Sequence, residues 1–293
     1  HGLGGAAGIV LARSIMRDVY GHDGSARMIS YLLMAMITAP MVAPTLGGVL
    51  TDLTGWRGIF VVASVIAFGI IVLIYWQAPE THGAAARAAA GGGLLAGMVH
   101  LMRNPTFLGY VLGSSFAMAI FFAFLGAAPY LMVNTLGGTA SEYGLYFLPA
   151  PAAFILGTFI STRLIGRYGI DRLIFHGAIA TLVLTLASAA AVALLPLTPL
   201  LLFTPMAVIS IAQGFVIPNC QAGAINVDPR FAGAASGLTG FLQLSISSAA
   251  NQLVGSLNDG TVHVMLAVMV GTAVIALAVY LPVRRRGAVG AKT

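Results

Sequence analysis

The side chains in this sequence suited to holding a ligand are uncharged. Gln243, Ser247 and Asn251 fall at i, i+4 and i+8, which sets two amides and a hydroxyl on one stripe of a helix. Gln213, Ile217 and Cys220 or Gln221 trace a similar stripe, with Asn219 beside Pro218. Amides both donate and accept hydrogen bonds, as hydroxyls do, so such stripes can line a cavity for a neutral or weakly polar molecule. The same groups can instead bond helix to helix, and both readings stand at this point. Phe121, Phe124 and Tyr130, with Phe116 and Phe122, form an aromatic group that suits an apolar ligand or plain packing.

Covalent chemistry has no comparable pattern. His-Glu-x-x-His does not occur, the six histidines are scattered, and no P-loop is present. Gly2-Leu3-Gly4-Gly5-Ala6-Ala7 fits the letters of a dinucleotide fingerprint, but no strand precedes it. Gly4 and Gly8 also make a small-xxx-small face for helix packing. The single cysteine, Cys220, sits in an apolar run and reads as a packing residue. No catalytic residue, metal or cofactor is expected, and the chain does not read as an enzyme.

The elements that position these residues are membrane helices. Of 293 residues, 59% are hydrophobic and 8% are charged, against roughly 25% charged in a soluble domain. Charge-poor runs predict spans at about 28–50, 57–78, 106–133, 143–164, 172–195, 199–221, 233–256 and 262–283, after a partial helix at 1–15. If crossings alternate, thirteen of the fourteen lysines and arginines fall on one side, and only Arg57 on the other. Positive residues mark the cytoplasmic side, which predicts a cytoplasmic C-terminus. The net charge of +6 is therefore read as a topology signal, with the bilayer as partner and no nucleic acid.

One span carries unusual residues. Ala39–Gly48 holds Pro40 and Pro44 four apart, then Gly47 and Gly48. Membrane helices tolerate such residues where neighbouring helices satisfy the freed backbone groups. The pattern predicts a bent helix with a small-residue groove that receives a second helix closely.

The layout divides as 1–78, a cytoplasmic linker at 79–105, a six-helix half at 106–283, and a tail at 284–293. Within the linker, Ala84–Gly93 is small and flexible in composition, and Leu94–Met102 predicts an interfacial helix. Asp23–Ser30 and Asp228–Ser236 echo one another, each acidic then basic and each feeding a span. Parallel six-helix repeats predict this placement. The opening residues read as the middle of a helix, and by this layout about three and a half helices would precede the 79–105 linker beyond those seen.

The motifs are Gly2–Gly8 with Leu11–Asp18, Ala39-Pro40-x-x-Ala43-Pro44-x-x-Gly47-Gly48, Gly55-Trp56-Arg57-x-Ile59-Phe60 and Pro79-Glu80-Thr81. Later come Gly214–Asn219, Ala232–Leu238 and Gly240-Phe241-Leu242-Gln243. Together they resemble the bicyclomycin/chloramphenicol-resistance (Bcr/CflA) drug:proton antiporters of the major facilitator superfamily. The resemblance implies an all-α polytopic membrane protein covering roughly helices 4 (partial) to 12 of that fold. It implies proton-coupled multidrug efflux across a bacterial inner membrane, with a drug-like small molecule and protons as partners. Pro40, Pro44, Gly47 and Gly48 would form the gate, and Arg17, Asp18, Arg163 and Arg167 a cytoplasmic latch. In such antiporters an acidic residue of the first helix commonly carries the proton, a position with no counterpart in this sequence. A metabolite or sugar exporter of the same fold, or a membrane fragment that does not transport, are the rival expectations.

Overall fold

A computed structural model describes residues 43–44, 46–77, 94–257 and 259–290. The chain divides into two compact units, His1–Gly92 and Gly93–Thr293. In the first, residues 46–54 are helical, and Gly55 turns the chain at a φ of 73° into α1 (Trp56–Gln77). The side chains of α1 are almost all exposed, among them Phe60, Val65, Phe68 and Trp76. The Arg57 guanidinium lies over the Trp56 ring at the start of α1, 4.3 Å from its centroid.

The second unit is a bundle. Its elements are α2 (Leu94–Met102), α3 (Pro105–Tyr130), α4 (Ala140–Phe147), α5 (Pro149–Tyr168), α6 (Ile170–Leu194), α7 (Pro199–Asn226), α8 (Ala232–Ser256) and α9 (Val262–Gly290). Three of these starts, those of α3, α4 and α7, carry a side-chain cap. Asn104 caps α3 by accepting from the Thr106 and Phe107 amides, with Pro105 at the first position. Thr139 and Glu142 form a reciprocal capping box at α4. Thr198 caps α7 by accepting from the Leu201 amide at 3.2 Å, with Pro199 at the first position.

Two predicted spans lie within single stretches able to cross, Pro105–Thr135 and Ala140–Tyr168, and each departs from regular α-helix near a proline. The run 143–164 holds the boundary between α4 and α5, because Pro149 has no N–H to continue the ladder and starts α5 afresh. The run 106–133 passes Pro129 and ends in a π-helical turn, Leu131–Thr135. Among the described residues, six helical stretches are long and apolar enough to cross a membrane. Helix α8 is not among them, although its 25 residues are of sufficient length. Its Gly, Ser, Thr, Gln and Asn residues lower its hydropathy, and it lies packed along α3 and against α7.

Lipid supplies no hydrophobic drive between helices, so close approach and hydrogen bonds decide the packing. The tightest crossing joins α5 and α7. A Cβ on Gly157 would collide with the Ile211 carbonyl, and one on Gly214 would sit 2.6 Å from the Thr158 nitrogen. Two core clusters result. One, around Phe124, Met132, Phe147, Phe203 and Met269, fills one end of the bundle. The other, around Leu101, Phe107, Tyr110, Cys220 and Tyr280, fills the opposite end and draws in α2.

Candidate functional site

The polar stripe of α8 faces its neighbours, and each member meets a different situation. Asn251 donates from Nδ2 to the Phe122 carbonyl on α3 at 3.0 Å. Gln243 accepts at Oε1 from Gln221 Nε2 on α7, at 3.1 Å. Its own Nε2 is buried with no partner, and so is the hydroxyl of the fully buried Ser247. Two unpaired polar atoms thus sit one helical turn apart on a single face. Buried groups of this kind are costly unless something supplies the missing bond.

The α7 stripe is fully spent on packing. Gln213 is buried and donates to the Ala117 carbonyl at 2.9 Å. Asn219 is buried too, and donates to Ser161 Oγ and the Phe215 carbonyl, both at 2.7 Å. These bonds staple α7 to α3 and α5. Cys220 lies buried and free in the second core cluster.

The aromatics divide similarly. Phe124 is buried edge-on to Phe203, with centroids 5.5 Å apart. Phe121 is half-buried and meets Phe122 and Phe147 at 6.1 and 5.9 Å. Tyr130 is exposed and reaches toward Gly260 at the far end of α3.

Of the other predicted site residues, Pro40, Arg17 and Asp18 lie outside the described residues. Pro44 is half-buried and helical, Gly48 is buried, and a Cβ on Gly47 would meet nothing within 4 Å. Arg163 and Arg167 are exposed and lie over the rings of Phe159 and Tyr168, at 5.0 and 5.4 Å.

Two clusters had not been singled out from the sequence. Asp171, in the first turn of α6, accepts at Oδ1 from Tyr110 Oη at 2.7 Å and Tyr280 Oη at 2.8 Å. One carboxylate oxygen thereby ties α6 to α3 and α9. Gly223 makes room for the Tyr110 ring, since a Cβ there would come within 2.7 Å of it. The available signal was topological: alternating crossings put both tyrosines at the membrane end where Asp171 begins its helix. The second cluster joins His100 of α2 to Asp228 and Arg230 in the α7–α8 connection. Arg230 donates to both oxygens of Asp228, and that hydrogen bonding holds the carboxyl well below its usual range, at about 2. The Thr261 hydroxyl likewise lowers Asp259 in the α8–α9 connection.

The arrangement offers buried amides and hydroxyls beside aromatic rings within a membrane-spanning bundle. Residues 1–251 match the family model described as Major Facilitator Superfamily. A bicyclomycin resistance protein homolog of Haemophilus influenzae is 27% identical over 285 residues, covering 96% of this chain and 70% of the relative. An uncharacterized MFS-type transporter, YdgK, of Bacillus subtilis is 31% identical over 285 residues, covering 94% of this chain and 69% of the relative. Multidrug resistance protein D of Escherichia coli is 28% identical over 244 residues, covering 83% of this chain and 60% of the relative.

Proposed function

The chain belongs to the major facilitator superfamily of transporters, and from that premise we propose that it serves proton-coupled export of drug-like molecules across a bacterial inner membrane. The observation that carries the reading is the likeness, over 96% of the chain, to a protein named for bicyclomycin resistance. Transport would proceed by rocking of two helical bodies about a midplane site.

The geometry fits a neutral or weakly polar substrate. Gln243 Nε2 is a buried donor, and Ser247 Oγ can donate or accept. A substrate carrying a carbonyl or hydroxyl supplies what both lack. The aromatic residues Phe121 and Phe122 on α3 give such a molecule an apolar surface. In this reading the arginine-bearing ends, Arg163 to Arg172 and Arg230, face the cytoplasm. Pro44, Gly47 and Gly48, with Pro40, act as the gate, and Arg163 and Arg167, with Arg17 and Asp18, as the latch.

The test is accumulation of a fluorescent apolar drug in an efflux-deficient bacterium expressing the natural gene. Accumulation should fall several-fold, and a protonophore should restore it. Unchanged accumulation, with the protein demonstrably in the membrane, would overturn drug export. A fall that survives the protonophore would overturn proton coupling.

A further inference from the structure

Helix α2 is held to the bundle by a small, specific contact. Gly97 lies under the Phe231 ring so closely that a Cβ there would sit 2.6 Å from a ring carbon. Leu101 is fully buried in the second core cluster. His100 sits between these two residues. Its ring lies 5.4 Å from that of Phe231, and its Nε2 lies 3.5 Å from Asp228 Oδ2. The rest of the Asp228 environment belongs to its own turn. Arg230 gives it two side-chain hydrogen bonds and one from the backbone amide. His100 is the ionisable group that reaches Asp228 from a different element.

We infer that α2 is a proton-sensitive clamp, in which protonation of His100 fastens the helix to the Asp228–Phe231 turn. With the imidazole neutral, the described contacts of α2 are those of Gly97, Met98 and Leu101 and the His100 ring against Phe231. The imidazolium adds attraction to the carboxylate, and its positive ring also gains from the face of Phe231. Imidazoles change charge between about pH 5 and 8, where the cell works. Asp228 stays ionised throughout that window, because Arg230 holds its carboxyl at about 2.

The other charges nearby are the guanidinium groups of Arg230 in the turn and Arg103, which follows α2. Helices α3 and α8, which pack against α2, carry no Asp, Glu, Lys, Arg or His within 105–130 or 232–256. The clamp also has a mechanical consequence. Only Arg103 and the cap residue Asn104 separate α2 from α3, so α2 cannot leave its seat without loading the start of α3. A shift of pH therefore changes how firmly α3 is tied to the α7–α8 connection.

Amide hydrogen exchange of the full chain in lipid nanodiscs tests this, read at residues 98–102 and corrected for the intrinsic pH dependence of exchange. Protection should rise roughly two- to fivefold between pH 8 and pH 5.5, the range of an exposed ion pair. His100→Gln should abolish the rise and hold protection at the pH 8 value. His100→Arg should give the higher protection at both pH values, which separates loss of titration from loss of folding. A rise that persists in His100→Gln, or no rise in the unaltered chain, would overturn the clamp.

Discussion

Tyr280 donates its hydroxyl to Asp171 Oδ1 at 2.8 Å, across 109 residues of sequence. Tyr110 donates to the same oxygen at 2.7 Å, and the two rings lie 5.9 Å apart. The reason is backbone geometry one step upstream. Gly169 has φ 73° and ψ 159°, a conformation essentially reserved for glycine. It lets α5 end and α6 begin within one residue, so Asp171 enters the bundle in the first turn of α6. A hydrogen bond to a charged group contributes about 1.5–3 kcal/mol. Tyr280→Phe and Tyr110→Phe should each destabilise by about that amount. Asp171→Ala should cost more than either, because it strands two buried hydroxyls. The pair of phenylalanine changes should be non-additive, since both partners share one acceptor. Detergent-resistant unfolding of the four variants is the check, and wild-type midpoints for both tyrosine changes would show that the Asp171 bonds do not stabilise the bundle.

The α5–α7 crossing gives a second expectation. Gly157 and Gly214 let two backbones touch, and the atoms a Cβ would meet belong to the main chain. Main chain cannot swing aside as a flexible side chain can. Gly157→Val and Gly214→Val should therefore each cost about 1–3 kcal/mol through overpacking. Gly166→Val on the same helix is the control, because a Cβ there meets nothing within 4 Å. Equal midpoints for Gly157→Val and Gly166→Val would show that the crossing is not limiting.

Acid should release the α7–α8 turn before the bundle. The Asp228 carboxyl is held at about 2, chiefly by the Arg230 side chain, against about 3.9 in an unfolded chain. A depressed folded value means the contribution is complete above about pH 4 and lost as pH falls toward 2. Asp228→Asn should remove that slope and, with it, the same contribution at pH 6 to 8, a small one because the pair is exposed at Arg230. Unfolding midpoints at pH 6, 4 and 2 measure it. An identical acid slope in Asp228→Asn would assign the effect to other carboxyls.

Much of the architecture was legible because hydropathy and arginine placement are long-range, redundant signals. The helices 170–194, 199–226 and 262–290 lie where those signals put them. What escaped was local or polar. Pro149 sets a helix boundary inside the span Ala140–Tyr168, because a missing N–H breaks the ladder without ending the apolar run. Helix α8 packs along α3, with hydropathy diluted by the very residues that face its neighbours. The amide stripes were visible as spacing, yet spacing does not say which atoms are spent. Gln213 and Asn219 are spent on Ala117 and Ser161, whereas Ser247 is not spent at all. Asp171 escaped because it stands at a helix start, where a charge looks like an ordinary surface residue until two distant tyrosines converge on it.

Ser247 separates stability from transport. Its side chain is fully buried and its hydroxyl has no partner. An unsatisfied buried polar group costs about 1–3 kcal/mol, so removing it should not weaken the fold. Ser247→Ala should leave the unfolding midpoint unchanged or raise it, by up to about 1 kcal/mol after the loss of a small packing atom. Asn251→Ala, which breaks a bond to Phe122, should lower it by about 0.6 kcal/mol, the average for interhelical bonds in membranes. If the Ser247 hydroxyl is kept for a substrate, Ser247→Ala should also impair export of carbonyl-bearing drugs while the protein grows no less stable. That combination, function lost and stability kept, marks a site that holds an unfavourable arrangement for use. A fall in the unfolding midpoint of Ser247→Ala would show that the hydroxyl is already paired and that the stripe is packing throughout.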